Sequence, residues 1–116
     1  MSIDSVIKQK SMAFARRIVR LYQYLSKDHK EYVMSKQILR SGTSIGANIA
    51  EAIYGSSRKD FVAKLQIAQK EAAETLYWLE LLQSCDYIPN NLSASLRDDC
   101  KELLAMLAAS IKSCTE

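Results

Sequence analysis

Turn-forming residues are scarce in this sequence of 116 residues, which contains three glycines and one proline. Because β-hairpins use Gly, Pro and Asn at nearly every turn, this scarcity argues against a sheet protein. Hydrophobic residues make up 48% of the chain, and a chain of this length can bury a core without disulfides or metals. We therefore predict a single all-α domain over residues 1–116.

Residues that catalyse reactions or bind metals are also rare. The single histidine, His29, lies in a charged segment and is predicted to be solvated. Glu71 and Glu74 lie one helical turn apart, but no His follows them as a di-iron bundle would require. The sequence therefore predicts a protein that is not an enzyme, with no cofactor, no metal and no small-molecule substrate.

The three cysteines, Cys85, Cys100 and Cys114, show neither C-x-x-C nor any metal-ligand spacing. We interpret them as buried, reduced thiols of a cytoplasmic protein. The longest apolar run, Leu103 to Ile111, is interrupted by Ser110, whereas a membrane span needs about 20 residues. Residues 1–10 contain no apolar segment of the kind found in signal peptides. We expect a soluble protein with no membrane partner.

Apolar residues with helical spacing predict four helices, with bounds at about residues 4–26, 31–54, 58–84 and 93–113. Ser57 is expected to cap the third helix, and Pro89 lies in the loop before the fourth. Four helices of similar length with short connections are typical of an antiparallel up-down-up-down four-helix bundle.

The segment from Arg40 to Ala52 is unusual, because a glycine inside a helix costs about 1 kcal/mol relative to Ala and this segment has two. Gly42, Gly46 and Ala50 recur every four residues and predict a smooth strip where another helix approaches closely. A large side chain at Gly46 should then overpack that contact. The spacing does not fit a phosphate-binding loop, and the flanking charges argue against a membrane helix pair.

A polar stripe lies beside that strip. Ser41, Ser44, Asn48 and Glu51 follow one another at spacings of three, four and three residues. The stripe either faces solvent, forms a buried hydrogen-bond network or lines a channel. Short polar side chains favour caps and turns over helix interiors, which favours the network or the channel. Glu74 is a candidate partner for Ser44 and Asn48 across the bundle.

Positive charge is concentrated near the start of the chain. Residues 1–27 contain six basic residues and one acidic residue, although the whole chain carries only +3. At about 100° per residue, five of the basic residues face away from the apolar stripe or border that direction. They are Lys10, Arg16, Arg17, Arg20 and Lys27. This basic face is either ordinary solvated surface or a contact surface for nucleic-acid phosphates.

Few aromatic residues accompany the basic face. Tyr24 is the one near it, so binding there is expected to be backbone-driven and weakly sequence-specific. Ile67, Tyr77 and Trp78 lie off the centre of the apolar stripe of the third helix. They either pack at the edge of the core or form an interface between subunits, where aromatic residues are enriched.

The segment Arg40 to Glu51, followed by Lys59-Asp60-Phe61, Ile67-Ala68 and Glu74 to Leu79, resembles the signature of the 23S rRNA intervening-sequence proteins. The resemblance extends roughly from Arg17 to Leu82. It places Arg40 and Glu74 with the polar stripe as signature positions. It also implies a four-helix bundle that assembles as a ring-like homopentamer.

Genes of this family often lie within insertions in bacterial rRNA genes, and the family is similar to the accessory protein of diversity-generating retroelements, a basic pentameric barrel thought to bind nucleic acid. Charge and resemblance together predict a non-catalytic homo-oligomer that binds structured RNA, or RNA and DNA backbones, through the basic face. Five copies would display about 25 positive charges from this part of the chain. The alternative is a protein–protein adaptor or scaffold ring with no role in nucleic-acid binding.

Overall fold

The computed structural model of the protein describes residues 5–115. Regular structure within this range is entirely helical: α1 (Ser5–Gln23), α2 (Met34–Ile53), α3 (Arg58–Ser84), α4 (Asn90–Thr115) and a π-helical turn (Tyr24–Asp28) that continues α1. The molecule is elongated, with extents of 44 × 21 × 19 Å. None of the helices in the described range has the combination of length and hydropathy that crossing a bilayer requires.

One apolar core joins the four helices, because each contributes buried aliphatic or aromatic side chains at helical spacing. The largest fully buried side chains include Phe14 and Ile18 of α1, Ile45 of α2, Leu79 of α3 and Leu103 of α4. Their burial fixes which side of each helix faces outward, and therefore which polar side chains remain available on the surface.

Contacts between α2 and α3 pair residues in opposite chain order. Ser41 contacts Thr75 near one end, and Glu51 contacts Lys64 nearer the other. Residue numbers therefore rise along α2 as they fall along α3. The ion pairs between α1 and α4 described below follow the same opposite order.

The connection between α1 and α2 differs from the predicted loop. The sequence predicts a helix to about residue 26, whereas α-helical geometry ends at Gln23 and a π-helical turn follows. α2 begins at Met34 rather than near residue 31. Before that start, the Glu31 carboxylate accepts hydrogen bonds from the backbone N–H groups of Val33 (3.1 Å) and Ser35 (2.7 Å). Glu31 thus satisfies N–H groups that the first helical turn leaves without partners.

The other helix starts follow their local chemistry. Ser57 caps α3 as predicted, since its hydroxyl accepts the backbone N–H of Asp60 at 3.1 Å. α4 begins at Asn90, directly after Pro89, instead of near residue 93. The backbone N–H of Ser93 donates to the Pro89 carbonyl at 3.0 Å, so residues assigned to a loop from the sequence form the first turn of α4.

His29 lies at the end of the bundle where α1 gives way to α2. It is exposed, yet its Nε2 lies 2.8 Å from the Tyr24 hydroxyl. The imidazole also meets the Tyr24 and Tyr87 rings edge to face, with centroids 4.7 and 6.0 Å apart. The expectation of a merely solvated histidine is therefore incomplete, because His29 joins α1 to the α3–α4 connection.

The cysteines are free but not uniformly buried. Cys100 is buried in the core, with its sulfur 3.3 Å from the Ala72 carbonyl. Burial, together with the nearby Asp99 carboxylate, raises the pKa of the Cys100 thiol to about 12. Cys85, which directly follows α3, is exposed, and Cys114 is half-buried. The interpretation of three buried thiols is thus wrong for Cys85.

Candidate nucleic-acid interface

α1 carries five basic residues and no acidic residue between Ser5 and Gln23. Arg16 and Arg20 are exposed, one helical turn apart, and line the same shallow surface groove of about 360 Å³. Lys8 is exposed and borders a neighbouring depression together with Arg16. Within residues 5–115, no carboxylate forms an ion pair with Lys8, Arg16 or Arg20.

Lys8 is absent from the predicted set of site residues, although the sequence contains the signal. Lys8, Met12, Arg16 and Arg20 are spaced four residues apart, which places them along one side of an α-helix. We call Lys8, Arg16, Arg20 and Lys27 the free basic surface. Lys27 lies in the π-helical turn and is exposed, and it too has no carboxylate partner in the described range.

Lys10 and Arg17 of the predicted basic face are already engaged. Lys10 Nζ lies 2.9 Å from a Glu102 carboxylate oxygen, and Arg17 Nη1 lies 2.7 Å from Asp99 Oδ2. The hydrogen bond and the charge of Glu102 raise the pKa of Lys10. Both pairs are partly or largely exposed and contribute little to stability, but they direct two of the five predicted residues toward α4.

A second groove lies between α1 and α4 and has a volume of about 310 Å³. Its apolar lining comes from Leu21, Leu92 and Leu96, and its polar lining from Arg17, Arg20 and Tyr24. Arg20 therefore borders both this α1–α4 groove and the shallow groove shared with Arg16.

The predicted smooth strip on α2 faces α1. A Cβ added at Gly42 would lie 2.8 and 2.9 Å from the two γ carbons of Ile18, which is closer than real side chains approach. At Gly46 the nearest atom would be the Ser11 hydroxyl at 3.4 Å, an ordinary van der Waals distance. Ala50 is exposed. The close approach is therefore greatest at Gly42 and not at Gly46.

Beyond Gly46 the strip opens onto an apolar groove between α1 and α2, about 320 Å³ in volume. Met12 and Ala15 of α1 line it together with Ala47 and Ala50 of α2. Met12 is more than half exposed. Lys8, Ser11 and Thr43 also border this α1–α2 groove, but the surface exposed within it is mostly apolar, which distinguishes it from the α1–α4 groove.

The polar stripe does not act as a single unit. Ser41 is fully buried, and its hydroxyl lies 2.9 Å from that of Thr75 on α3. Ser44 and Asn48 are half-buried and donate to carbonyls of their own helix, those of Arg40 and Ser44 respectively. Ser41 thus belongs to a buried polar pair, whereas the side chains of Ser44 and Asn48 form their hydrogen bonds within α2. Glu51, the last member, is exposed and accepts from Lys64.

Arg40 is the centre of a surface network between α2 and α3. Its guanidinium donates to Glu71 at 2.9 Å and also to Glu74. The indole N–H of Trp78 donates to the same Glu74 carboxylate at 2.9 Å. This indole hydrogen bond, followed by that from Arg40, lowers the pKa of Glu74. The partners of Glu74 are therefore Arg40 and Trp78, and not Ser44 and Asn48, whose short side chains bond back to their own helix.

The interface candidates on α3 are exposed to different extents. Ile67 is 40% exposed and Tyr77 is 57% exposed. Trp78 is half-buried and packs against the core, with its ring edge to face with Tyr77 at a centroid distance of 5.0 Å. Ile67 and Tyr77 are thus the two candidates with most surface to offer a partner. Within residues 5–115, no cluster of three or more His, Cys, Asp or Glu side chains is arranged to hold a metal ion.

The comparisons with known proteins agree with this architecture. The model of the family described as 23S rRNA-intervening sequence protein matches residues 4–109. A solved structure of a protein of unknown function from the S23 ribosomal protein family of Bacteroides thetaiotaomicron VPI-5482 is similar, with 56% sequence identity and a TM-score of 0.92. The match covers 93% of this chain and 96% of that chain. No curated protein matches the sequence.

Proposed function

This chain belongs to the 23S rRNA-intervening sequence protein family, and we propose that it is a non-catalytic homo-oligomer that binds nucleic-acid backbones, RNA in particular. The observation that carries the proposal is the free basic surface. Arg16 and Arg20 are exposed on a helix without acidic residues and have no carboxylate partner in the described range.

Binding through such a surface is driven by phosphate contacts. Lys and Arg side chains displace the counterions condensed on a nucleic acid, and the entropy of the released ions favours binding at low salt. Contacts to phosphates fix orientation but carry no sequence information. We assign the principal contacts to the free basic surface. Lys10 and Arg17 have a secondary role because Glu102 and Asp99 compete with the phosphates for them.

We further propose an antiparallel up-down-up-down bundle assembled as a ring-like homopentamer. The opposite chain order of the α2–α3 contacts supports the first part. The exposed apolar surface of Ile67 and Tyr77 on α3 supports the second. A ring repeats the free basic surface once per subunit, so the weak phosphate contacts of the individual subunits combine and raise the affinity of the ring for one nucleic acid.

The experiment is a salt-titrated binding assay with structured RNA. A double variant, Arg16→Gln with Arg20→Gln, should bind more weakly to all sequences alike. The slope of log affinity against log salt should become shallower by about 0.7–0.9 for each phosphate that the variant no longer neutralises. The matched control is Lys36→Gln with Lys70→Gln, which removes two exposed charges from α2 and α3. If both variants change the slope equally, the charge is acting non-specifically and the assignment to α1 is wrong.

The assembly has its own test. Light scattering should report a mass several times the 13.1 kDa of one chain. Ile67→Glu, or Tyr77→Glu, should lower that mass, because a buried unpaired carboxylate opposes association. As a control, Val33→Glu places the same charge at a 71% exposed residue outside the helices. This variant should keep the mass of the parent protein. A parent protein that remains a monomer at tens of micromolar excludes the ring.

A second candidate function is a protein–protein adaptor or scaffold ring. The observation that favours it is the α1–α2 groove, whose apolar lining of Met12, Ala15, Ala47 and Ala50 resembles a docking surface more than a phosphate site. This candidate takes precedence if the Arg16 and Arg20 double variant keeps the parent's affinity and salt slope.

A further inference from the structure

We propose that the α1–α4 groove receives one unstacked base of a single-stranded nucleic acid, so that the protein prefers single strands to duplexes. The inference rests on the proposed nucleic-acid binding and deepens it, because the free basic surface alone would not distinguish the two forms. It rests on the lining of the groove, on the fixed position of Tyr24 and on the separate roles of Arg17 and Arg20.

The lining of the groove combines apolar and cationic groups. Leu21, Leu92 and Leu96 provide apolar surface, and Tyr24 provides an aromatic ring. A volume of about 310 Å³ is near the lower end of the range of ligand sites, about 300–1,000 Å³. This size suits a flat fragment such as one base better than a larger ligand. Nucleobases have apolar faces that stack on aromatic rings and on guanidinium planes.

The two arginines of the groove have different roles. Arg17 donates to Asp99 at 2.7 Å and is only partly exposed, so the Asp99 carboxylate helps to orient its guanidinium plane beside the groove. Such a plane suits stacking against a base. Arg20 is exposed and has no carboxylate partner within residues 5–115. Because Arg20 also borders the groove shared with Arg16, it can hold the phosphate next to a base that enters the α1–α4 groove.

Tyr24 is positioned before any ligand arrives. Its hydroxyl is bonded to His29 Nε2 at 2.8 Å, and the imidazole packs edge to face on its ring. His29 is held in turn by an edge contact with Tyr87. A ring that is already ordered loses little conformational entropy when a base stacks on it.

Duplexes cannot use this site without cost. A base in a helix must leave its stack and its pairing partner to enter a cavity, which opposes binding. A single strand presents unstacked bases at much lower cost. Phosphate contacts on α1 are available to both forms, so the groove would add affinity for the single strand only.

The test compares three RNA probes at one salt concentration: oligouridylate, an oligomer of the same length with abasic central nucleotides, and a duplex. We expect the unmodified protein to bind oligouridylate about 5-fold or more tightly than the abasic oligomer, which corresponds to the lower end of the free energy of stacking one base. It should also bind oligouridylate more tightly than the duplex. Tyr24→Leu should remove this preference. Tyr54→Leu, which removes a ring that is 87% exposed at the end of α2, should retain it.

The outcomes separate the two proposals. Equal binding of all three probes by the unmodified protein would overturn the base site and leave backbone binding standing. If no probe binds, both proposals fall. The abasic comparison needs no substitution, so the base site remains testable even if Tyr24→Leu impairs folding. A preference that survives in a folded Tyr24→Leu variant would also overturn it.

Discussion

The close approach of α1 to α2 predicts that one substitution has opposite effects at two glycines of the same helix. We consider Gly42→Ala and Gly46→Ala. Both glycines lie inside α2, so each replacement gains about 1 kcal/mol of helix propensity. The two differ only in what the new methyl group meets on α1.

At Gly42 the methyl group would lie 2.8 and 2.9 Å from the γ carbons of Ile18. Ile18 is fully buried, and its β-branched side chain is stiff at χ1, so it cannot simply turn away. Overpacking of this kind costs about 1–3 kcal/mol. After the gain in propensity, the free energy of unfolding should fall by up to about 2 kcal/mol. At Gly46 the closest atom would be at 3.4 Å, so the gain in propensity should remain and the protein should become more stable.

Urea denaturation followed by circular dichroism measures both effects, provided that the m-value is unchanged. Ile18→Ala completes the design. Ile18→Ala alone destabilises the protein because it creates a cavity. The double variant with Gly42→Ala should lose less free energy of unfolding than the two single variants together, since the new methyl group at residue 42 then has room. A Gly42→Ala variant at least as stable as Gly46→Ala would refute the reasoning from close approach.

Three further predictions follow from individual side-chain environments. Thr75→Val should cost about 1–3 kcal/mol because it leaves the buried Ser41 hydroxyl without its 2.9 Å partner; adding Ser41→Ala should recover part of that stability in urea denaturation. The folded-state pKa of Glu74 is below its ordinary value of 4.5, so its contribution to stability is present above pH 4.5 and is lost as the pH falls through the folded pKa. Glu74→Gln should therefore reduce the acid-dependent fall in stability, and unchanged acid unfolding would contradict this. Finally, Cys100 should react with a thiol reagent only on unfolding, because burial raises its pKa to about 12, whereas the exposed Cys85 should react in the native protein.

The sequence predicts where a helix begins when residues next to that position determine its start. The Ser57 cap and the apolar periodicity of α3 are local features, and the third helix begins where they indicate. The π-helical turn after Gln23 has no comparable local signal. The backbone N–H of Glu31 reaches the Leu25 carbonyl at 2.9 Å, a hydrogen bond that exists only once the chain has turned back at the end of the bundle.

The candidate site was less predictable because charge pairing depends on tertiary structure. The concentration of basic residues on α1 is visible in the sequence, but Asp99 and Glu102 lie more than 80 residues away from Arg17 and Lys10. Only the packing of α4 on α1 shows which cations are engaged. The α1–α4 groove is hidden for the same reason, because its lining comes from both ends of the chain.

The proposed assembly and the proposed binding surface constrain each other. Nucleic-acid binding requires α1 to remain accessible in the oligomer. An interface through Ile67 and Tyr77 on α3 leaves it accessible, whereas an interface through the α1–α2 groove would cover Met12 beside Arg16.

These two arrangements predict different consequences of breaking the oligomer. If α3 forms the interface, Ile67→Glu separates subunits whose basic surfaces were already free. RNA affinity should then fall because binding is no longer multivalent, and the salt slope should become shallower by about 0.7–0.9 for every phosphate that the departed subunits had neutralised. If the α1–α2 groove forms the interface, Met12→Gln is the change that dissociates the oligomer, because it places an unpaired amide in the apolar contact without adding a carboxylate between Lys8 and Arg16. The dissociation then exposes basic residues that were covered. Each separated subunit should then bind RNA more tightly than a subunit of the parent. Titrating RNA against both variants, with their masses measured by light scattering, decides which face of the bundle the nucleic acid meets.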